Sequence, residues 1–435
     1  MPHNYLFTLY ALILWFTIRW HEDNRWKYAL PLGLLCGLAT LVRPTAGVIA
    51  LVPVLWGLYE LGWRGKAGLV ARNYPQIVVM AMAMFAVVGL QLVYWKLHAG
   101  SWFYYSYEKG EQLEWIAPYL GKILFSYRKG WLVYTPVMIF ALAGFIPLAR
   151  KYRNLFVVVF PFFLINLLLV ASWPTWWYGG SFGQRALMES YMLLALPMGA
   201  FIEWFTGKRN SIKWPLVFIF GALICFNLFQ TWQYTHYIID PSGVTKGYYW
   251  RVFGKTSLTD KDREFLVPSY DVEEKEWLPA STKFTSRVLA SYNFDQPATH
   301  ELQKYCRDTA TSGSYSLRMN KNNGFSPGID IPYKELSKKD FAWIQVCGYV
   351  YFTCKPEDAV CGLVVTCNQG GKAYKYRILP IERAGLKPYT WNKVCLDYKT
   401  PYLEYKSEKV QSYFWCHGEN QILIDDLEIK LFEFN

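Results

Sequence analysis

Residues Pro75–Leu97 read PQIVVMAMAMFAVVGLQLVYWKL, 23 positions whose one charge is Lys96 near the end. An uninterrupted membrane-crossing helix needs about 20 mainly apolar residues. This stretch therefore sets the class of the first half. Outward from it lie seven more apolar segments. Upstream are Tyr5–Ile18, Tyr28–Val42 and Ala46–Leu61; downstream are Trp131–Leu148, Leu155–Ala171, Leu187–Phe205 and Trp214–Trp232. They predict a polytopic α-helical membrane domain of about eight helices over residues 1–235. The first three segments are short for a crossing, so tilted, re-entrant or interfacial geometry is expected among them.

The chain has 435 residues, 53% of them hydrophobic and 19% aromatic, which excludes a disordered or fibrous protein. Its formal charge of +12 does not form a nucleic-acid patch. The basic residues sit in small groups between apolar runs: Arg19, Arg25 and Lys27; Arg64, Lys66 and Arg72; Arg150, Lys151 and Arg153; Lys208, Arg209 and Lys213. These groups fall on alternate loops. The positive-inside rule places them in the cytoplasm, and the N-terminus and everything after Trp232 outside. Met1-Pro2-His3-Asn4 enters the first segment with no basic n-region, so no signal peptide is read. An outside N-terminus before a first helix is unusual, and missing upstream helices would explain it.

Three outer segments carry candidate chemistry. Arg43, in Leu41-Val42-Arg43-Pro44-Thr45, is either a snorkelling cation or a forked phosphate ligand. The stretch from His98 to Gly130 is rich in Trp and Tyr and long for a loop without function. It carries Glu108, Glu111 and Glu114, read either as acid/base candidates or as one solvated helix face, and then Ser126-Tyr127-Arg128-Lys129-Gly130-Trp131. The third is Trp173-Pro174-Thr175-Trp176-Trp177-Tyr178-Gly179-Gly180-Ser181-Phe182-Gly183-Gln184-Arg185. Aromatic faces suit sugar rings, and glycines let backbone N–H groups approach oxygen atoms closely. The competing reading is an interfacial aromatic belt ahead of a helix.

The Arg43-Pro44 end, the Ser126–Pro136 stretch and Trp177–Arg185 resemble the bacterial GT-C membrane glycosyltransferases, including protein O-mannosyltransferases and lipid A aminoarabinose transferases. The resemblance covers about residues 1–250. It implies a polytopic enzyme that takes a sugar from a polyprenyl-phosphate carrier outside the cytoplasmic membrane. By it, Arg43 and Arg185 would hold donor phosphate, and Trp176, Trp177, Tyr178 and Gln184 would line the sugar or acceptor site. The family's first-loop Asp has no counterpart, since the one Asp of the first 235 residues is Asp23 on the expected cytoplasmic side. The chain thus reads as the C-terminal part of such an enzyme, without an assigned catalytic residue. A divalent-metal requirement stays open.

Residues 236–286 read as an extracytoplasmic linker with the turn Asp240-Pro241-Ser242-Gly243. From 287 to 435 the period changes to two. Trp343–Phe352, Gly362–Cys367, Tyr374–Leu379, Trp391–Tyr398, Val410–Cys416 and Ile422–Phe434 alternate between turn signals, which predicts an all-β sandwich. Tyr292-Asn293-Phe294-Asp295, Gly313–Met319, Trp391-Asn392-Lys393-Val394 and Ile422–Ile429 are similar to jelly-roll carbohydrate-binding modules and galactose-binding-like domains. Asp295 with Asp425 or Asp426 has the oxygen chemistry of a structural Ca²⁺ site, with ordinary turn polarity as the competing reading. Among Trp343, Tyr349, Tyr351, Tyr413 and Trp415, an exposed ring would stack on sugar, but alternation assigns most to the core. Of the seven cysteines in this half, Cys354 and Cys361 flank a hairpin turn and are the expected disulfide; no zinc spacing is present.

The leading expectation is a multi-pass inner-membrane glycosyltransferase-like protein. It would move a sugar from a polyprenyl-phosphate carrier to an extracytoplasmic glycan, lipid or protein. The alternative is a non-catalytic, membrane-anchored glycan-binding protein. Both have membrane lipid as a neighbour, and neither has a nucleic-acid partner.

Overall fold

The computed structural model describes residues 2–105, 112–268, 276–280, 282–297, 299–307, 309–381 and 385–434. Glu108 and Glu111 lie outside the described residues. The chain divides into two compact units, Met1–Val244 with Gly254–Ser257, and Thr245–Phe253 with Leu258–Asn435.

The first unit is helical. Its main elements are α1 (Pro2–Asp23), α2 (Trp26–Val42), α3 (Leu58–Arg72), α4 (Tyr74–Ala99), α5 (Ile139–Lys151), α6 (Arg153–Ala171), α7 (Tyr191–Thr206) and α8 (Asn210–Thr235). Among the described residues, four helices are long and apolar enough to cross a membrane. They are α4, α6, α7 with its 3₁₀ lead-in from Arg185, and α8. The pair Pro44–Leu55 and Leu58–Arg72, bent by 87°, adds a fifth if it is one span. Against the expected eight helices, the described residues show four to five candidate spans. Trp131–Leu148 is not one helix because Pro136 disfavours helical backbone at Thr135 and removes a donor, so Trp131–Tyr134 ends before α5 begins. Ala46–Leu61 breaks at Trp56-Gly57, where Gly57 has φ +73°. Lys66 Nζ donates to the Trp56 carbonyl at 2.6 Å, satisfying a helix end that the break leaves open.

Close helix contact explains the small residues of α2. A Cβ on Gly33 would stand 2.3 Å from the Met80 carbonyl oxygen of α4, and one on Gly37 would stand 2.8 Å from that of Met84. This four-residue spacing of glycines is the packing device of helices in lipid. The outward faces are apolar too. Only 11% of the apolar window of α4 is buried, and none of that of α8. Such surfaces are stable against acyl chains and not against water.

The second unit opens with two short capped helices. Thr245 Oγ1 accepts from the Tyr248 amide at 3.1 Å, and Thr259 with Asp262 forms a capping box. The strands follow: β1 (Phe284–Tyr292), β2 (Tyr305–Cys306), β3 (Ser316–Met319), β4 (Ile329–Pro332), β5 (Trp343–Phe352), β6 (Cys361–Gln369), β7 (Lys372–Pro380), β8 (Trp391–Lys399), β9 (Lys409–Cys416) and β10 (Ile422–Phe434). One sheet runs β2-β3-β10-β5-β8 with β1 also paired to β10; the other runs β4-β9-β6-β7. All the described pairings are antiparallel. This is the expected β-sandwich. Ile344, Val346, Val350 and Phe352 of β5 meet Leu363, Val365 and Phe414 of the facing sheet in the core. Trp343, Tyr349, Tyr351, Tyr413 and Trp415 occupy the opposite parity and are absent from that cluster, so the expectation that most are core is corrected.

The disulfide also differs from expectation. Cys347 and Cys395, directly opposite on β5 and β8, are bonded, whereas Cys354 and Cys361 are not. Strand register, and not position beside a hairpin turn, sets the pairing, and it joins residues 48 apart in sequence.

Candidate functional site

In the helical unit, folding gathers residues from distant loops around Trp176-Trp177-Tyr178. The Arg43 guanidinium lies 5.5 Å from the Tyr178 ring centre, that of Arg128 4.2 Å from Trp177, and Lys122 Nζ 5.6 Å from Trp176. Each aromatic thus carries a cation at its face, an arrangement that grows stronger where water is excluded. The loop is held in an uncommon shape. Tyr178 has φ +52° and Gly179 φ +71°, two left-handed residues in succession. For a non-glycine residue this costs of order 1 kcal/mol and persists only where surroundings enforce it. Here Tyr178 is pinned by its hydroxyl, which donates to the Val170 carbonyl at 2.9 Å. Gly183 has φ +54°, and a Cβ there would meet that of Tyr134 at 2.9 Å.

Arg185 turns back over this loop. Its NH1 reaches the Gly180 carbonyl at a long 3.4 Å, and its buried Nε has no hydrogen-bond partner among the described residues. A guanidinium with spare donors in a partly buried setting is suited to an anion with several oxygens. Arg43 differs. Its NH1 is 3.3 Å from Glu189 Oε1, and the other oxygen of Glu189 is 3.0 Å from His3 Nδ1. Glu189 is only 2% exposed, so it is a brace that aims Arg43 and not an accessible base. Gln184 is buried and donates from Nε2 to the Trp176 carbonyl at 3.0 Å. It and the buried Trp176 shape the loop from behind, while Trp177 and Tyr178 are half-buried.

Lys129, within Ser126–Trp131, has no role that its sequence motif alone would assign. It is 1% exposed and donates to the carbonyls of Ser181 and Pro241, tying three loops together. Burial, then Arg128 nearby, pulls its ammonium down to about 7, against a smaller opposing effect of Asp240. Glu189 was also missed. Its signal was present: it is the one carboxylate near the start of the apolar run Leu187–Phe205. Glu114 accepts from the Tyr119 hydroxyl at 2.9 Å. Two cavities of about 400 Å³ lie elsewhere in this unit, one along Ala143, Pro147 and Phe201, the other along Gly33, Cys36 and Met84. Neither contains Arg43 or Arg185.

Polar contacts also link loops of the helical unit away from the Trp176–Tyr178 loop. Arg153 NH1 is 3.3 Å from the Tyr59 hydroxyl, Asn154 is 3.1 Å from Glu60, and Lys151 pairs with Glu203. These contacts join the starts of α3 and α6 and the ends of α5 and α7.

In the sandwich, the outer face of the four-stranded sheet is the second candidate. Gln411, Tyr413 and Trp415 of β9 face outward beside Thr366, Val364 and Gly362 of β6, and these beside Tyr376, Ile378 and Pro380 of β7. The Phe325 ring is 5.4 Å from that of Tyr413, and Trp415 stacks on His417 at 6.0 Å. Phe325 is 62% and Tyr376 38% exposed. Amide groups sit among the rings, with Asn368 Nδ2 donating to Gln411 Oε1 at 2.7 Å. Asp295 and Asp425 serve the fold. Asp425 is fully buried and accepts from the Thr311, Ser312 and Asp426 amides, while Asp295 Oδ1 accepts from those of Ser314 and Tyr315. Among the described residues no cluster of three or more His, Cys, Asp or Glu has metal-holding geometry.

No protein-family description matches the chain, and no curated relative matches it. Among solved structures, the CBM22-1 xylan-binding domain from Paenibacillus barcinonensis Xyn10C is similar, at 18% identity and a TM-score of 0.24, over 34% of this chain and 97% of that one. A family 16 carbohydrate-binding module matches at 14% identity and a TM-score of 0.21, over 29% of this chain and 82% of its own. The K3 cleaved adhesin domain of Lys-gingipain from Porphyromonas gingivalis w83 matches at 13% identity and a TM-score of 0.19, over 34% and 99%. At such identities and TM-scores these likenesses assign neither ligand nor activity. The chain is a helical unit with four to five apolar candidate spans and a β-sandwich unit of ten strands among the described residues.

Proposed function

We propose that the helical unit binds the phosphate of a polyprenyl-linked sugar and serves its transfer to an extracytoplasmic acceptor, with Arg43 and Arg185 as phosphate ligands. The observation that carries this reading is the Arg185 guanidinium, partly buried with an unpartnered Nε beside the cation-faced loop Trp176–Tyr178. The rings of Trp177 and Tyr178 supply flat faces for the sugar, and Glu189 fixes the aim of Arg43. The full chain in nanodiscs, titrated with polyprenyl monophosphate, tests it. Arg185→Ala should weaken binding about 10–100-fold, as expected for losing charge-assisted hydrogen bonds worth about 1.5–3 kcal/mol. Arg150→Ala, outside the cluster, should leave binding unchanged. Equal affinity of wild type and Arg185→Ala removes the proposal.

A second reading, a membrane-anchored glycan-binding protein, is favoured by one separate observation: the aromatic and amide face of Phe325, Tyr376, Gln411, Tyr413 and Trp415. Stacking rings interspersed with amide donors and acceptors suit the apolar faces and hydroxyls of sugar chains. Glycan-array binding by the full chain, reduced about tenfold in Trp415→Ala, supports this reading; an array without signal dismisses it.

A further inference from the structure

The four-stranded sheet contains a second pair of facing cysteines. Cys361 of β6 and Cys416 of β9 are register partners, 2% and 1% exposed, and both belong to the sandwich core. The Cys416 amide donates to the Gly324 carbonyl at 2.8 Å, which directs its backbone polar groups away from β6. The pair is therefore of the non-hydrogen-bonded type, where opposing Cα atoms stand about 4.5 Å apart and side chains approach closest. The bonded pair Cys347–Cys395 has the same direct opposition on β5 and β8, with a Cα separation of 4.1 Å. A third thiol, Cys354, is half-buried and packs against the same cluster.

We infer that Cys361 and Cys416 are a second cross-strand disulfide site, loaded through Cys354 by exchange with a small-molecule or protein disulfide. The Cys354 thiolate attacks one sulfur of the donor disulfide and releases the first donor thiolate. The Cys416 thiolate then attacks the Cys354 sulfur and releases the second. Finally the Cys361 thiolate attacks the Cys416 sulfur, forming Cys361–Cys416 and returning Cys354 as a thiolate. Two protein thiols are oxidised and the donor disulfide is reduced to two thiols; the two protons given up by Cys361 and Cys416 end, through solvent, on the donor thiolates, and Cys354 regains its own proton. Burial, Asp358 and Cys416 hold the Cys354 thiol above its usual range, which makes the first step the slow one at neutral pH, while a hydrogen bond from Cys361 holds the Cys416 thiol below its own and favours the thiolate that the second step uses. Once formed, the bond fastens the two central strands one residue from Gly362 and Trp415, beneath the aromatic face.

The experiment incubates the full chain in nanodiscs with oxidised glutathione, blocks thiols with iodoacetamide in denaturant, and maps linked peptides by mass spectrometry. The expected result is Cys361–Cys416 beside Cys347–Cys395, with Cys306 and Cys367 alkylated. Cys354→Ser should slow formation of the new link at least tenfold and leave its identity unchanged. Alkylated Cys361 and Cys416 in a sample whose Cys347–Cys395 is linked would overturn the site. A terminal Cys354–Cys416 link would overturn it as well. Formation at the wild-type rate in Cys354→Ser would remove Cys354 as the entry point. These readouts are independent of any binding function of either unit.

Discussion

The helical unit and the sandwich spend their apolar residues in opposite ways. In the sandwich, alternate positions of β5 and β9 are sealed between two sheets, and Ile344, Val346, Val350 and Phe414 have no exposure. In the helical unit, Val78, Met82, Phe85 and Leu90 of α4 are 49%, 64%, 70% and 64% exposed, and these face outward by design. The difference teaches that hydrophobic content does not define a core. Its period does: a run without polar relief asks for lipid, and a strict alternation asks for a partner sheet.

The largest test of this contrast is to separate the units. Residues 245–435 alone should be soluble and monomeric, with a far-UV spectrum dominated by strand. Residues 1–244 alone should need detergent or bilayer. Aggregation of the first piece would erase the distinction.

A sharper test compares two buried carboxylates. Asp425 in the sandwich is held by backbone amides, whereas Glu189 in the helical unit is held by Arg43 and His3. Glu189→Gln leaves the partly buried Arg43 guanidinium without its carboxylate, and breaking a buried pair costs about 3–5 kcal/mol. The thermal midpoint of the full chain in detergent should fall more in Glu189→Gln than in Asp425→Asn. The reverse order would mean that Glu189 is not an ionic brace.

The smallest effect is a pH slope. The Lys129 ammonium lies at about 7 in the fold against 10.5 as the ordinary value, so the folded state holds fewer protons between these limits. Stability from this group is fully present above about 10.5 and declines as pH falls toward and through about 7. The difference in thermal midpoint between the native chain and Lys129→Met should therefore change across pH 7 to 10 in the direction that favours the native chain at the alkaline end. A flat difference would show that Lys129 keeps its ordinary affinity for the proton.

Sequence reading reached the parts of this molecule that periodicity encodes. The α4, α6 and α8 helices follow from unbroken apolar runs, and β5 to β10 from alternation between turn signals. It overran where one residue interrupts a run, as Pro136 does after Thr135. The candidate loop Trp176–Arg185 was marked by composition, but its partners were not. Glu189 lay inside a segment read as plain span, and Lys129 finds its acceptors at Ser181 and Pro241, far along the chain. The cysteine pairing failed for the same reason, since register between β5 and β8 is a property of the assembled sheet.

Strand β10 has a consequence for synthesis. It pairs with β1, β3 and β5, so the six-stranded sheet has its middle supplied by residues 422–434. Until those residues leave the ribosome, β1 at 284–292 has no neighbour in its sheet, and the facing cores of both sheets stay open. Contacts of such long sequence separation form late and slowly. The nascent sandwich therefore stays open until β10 emerges, and removal of residues 422–434 would leave the second unit unable to close.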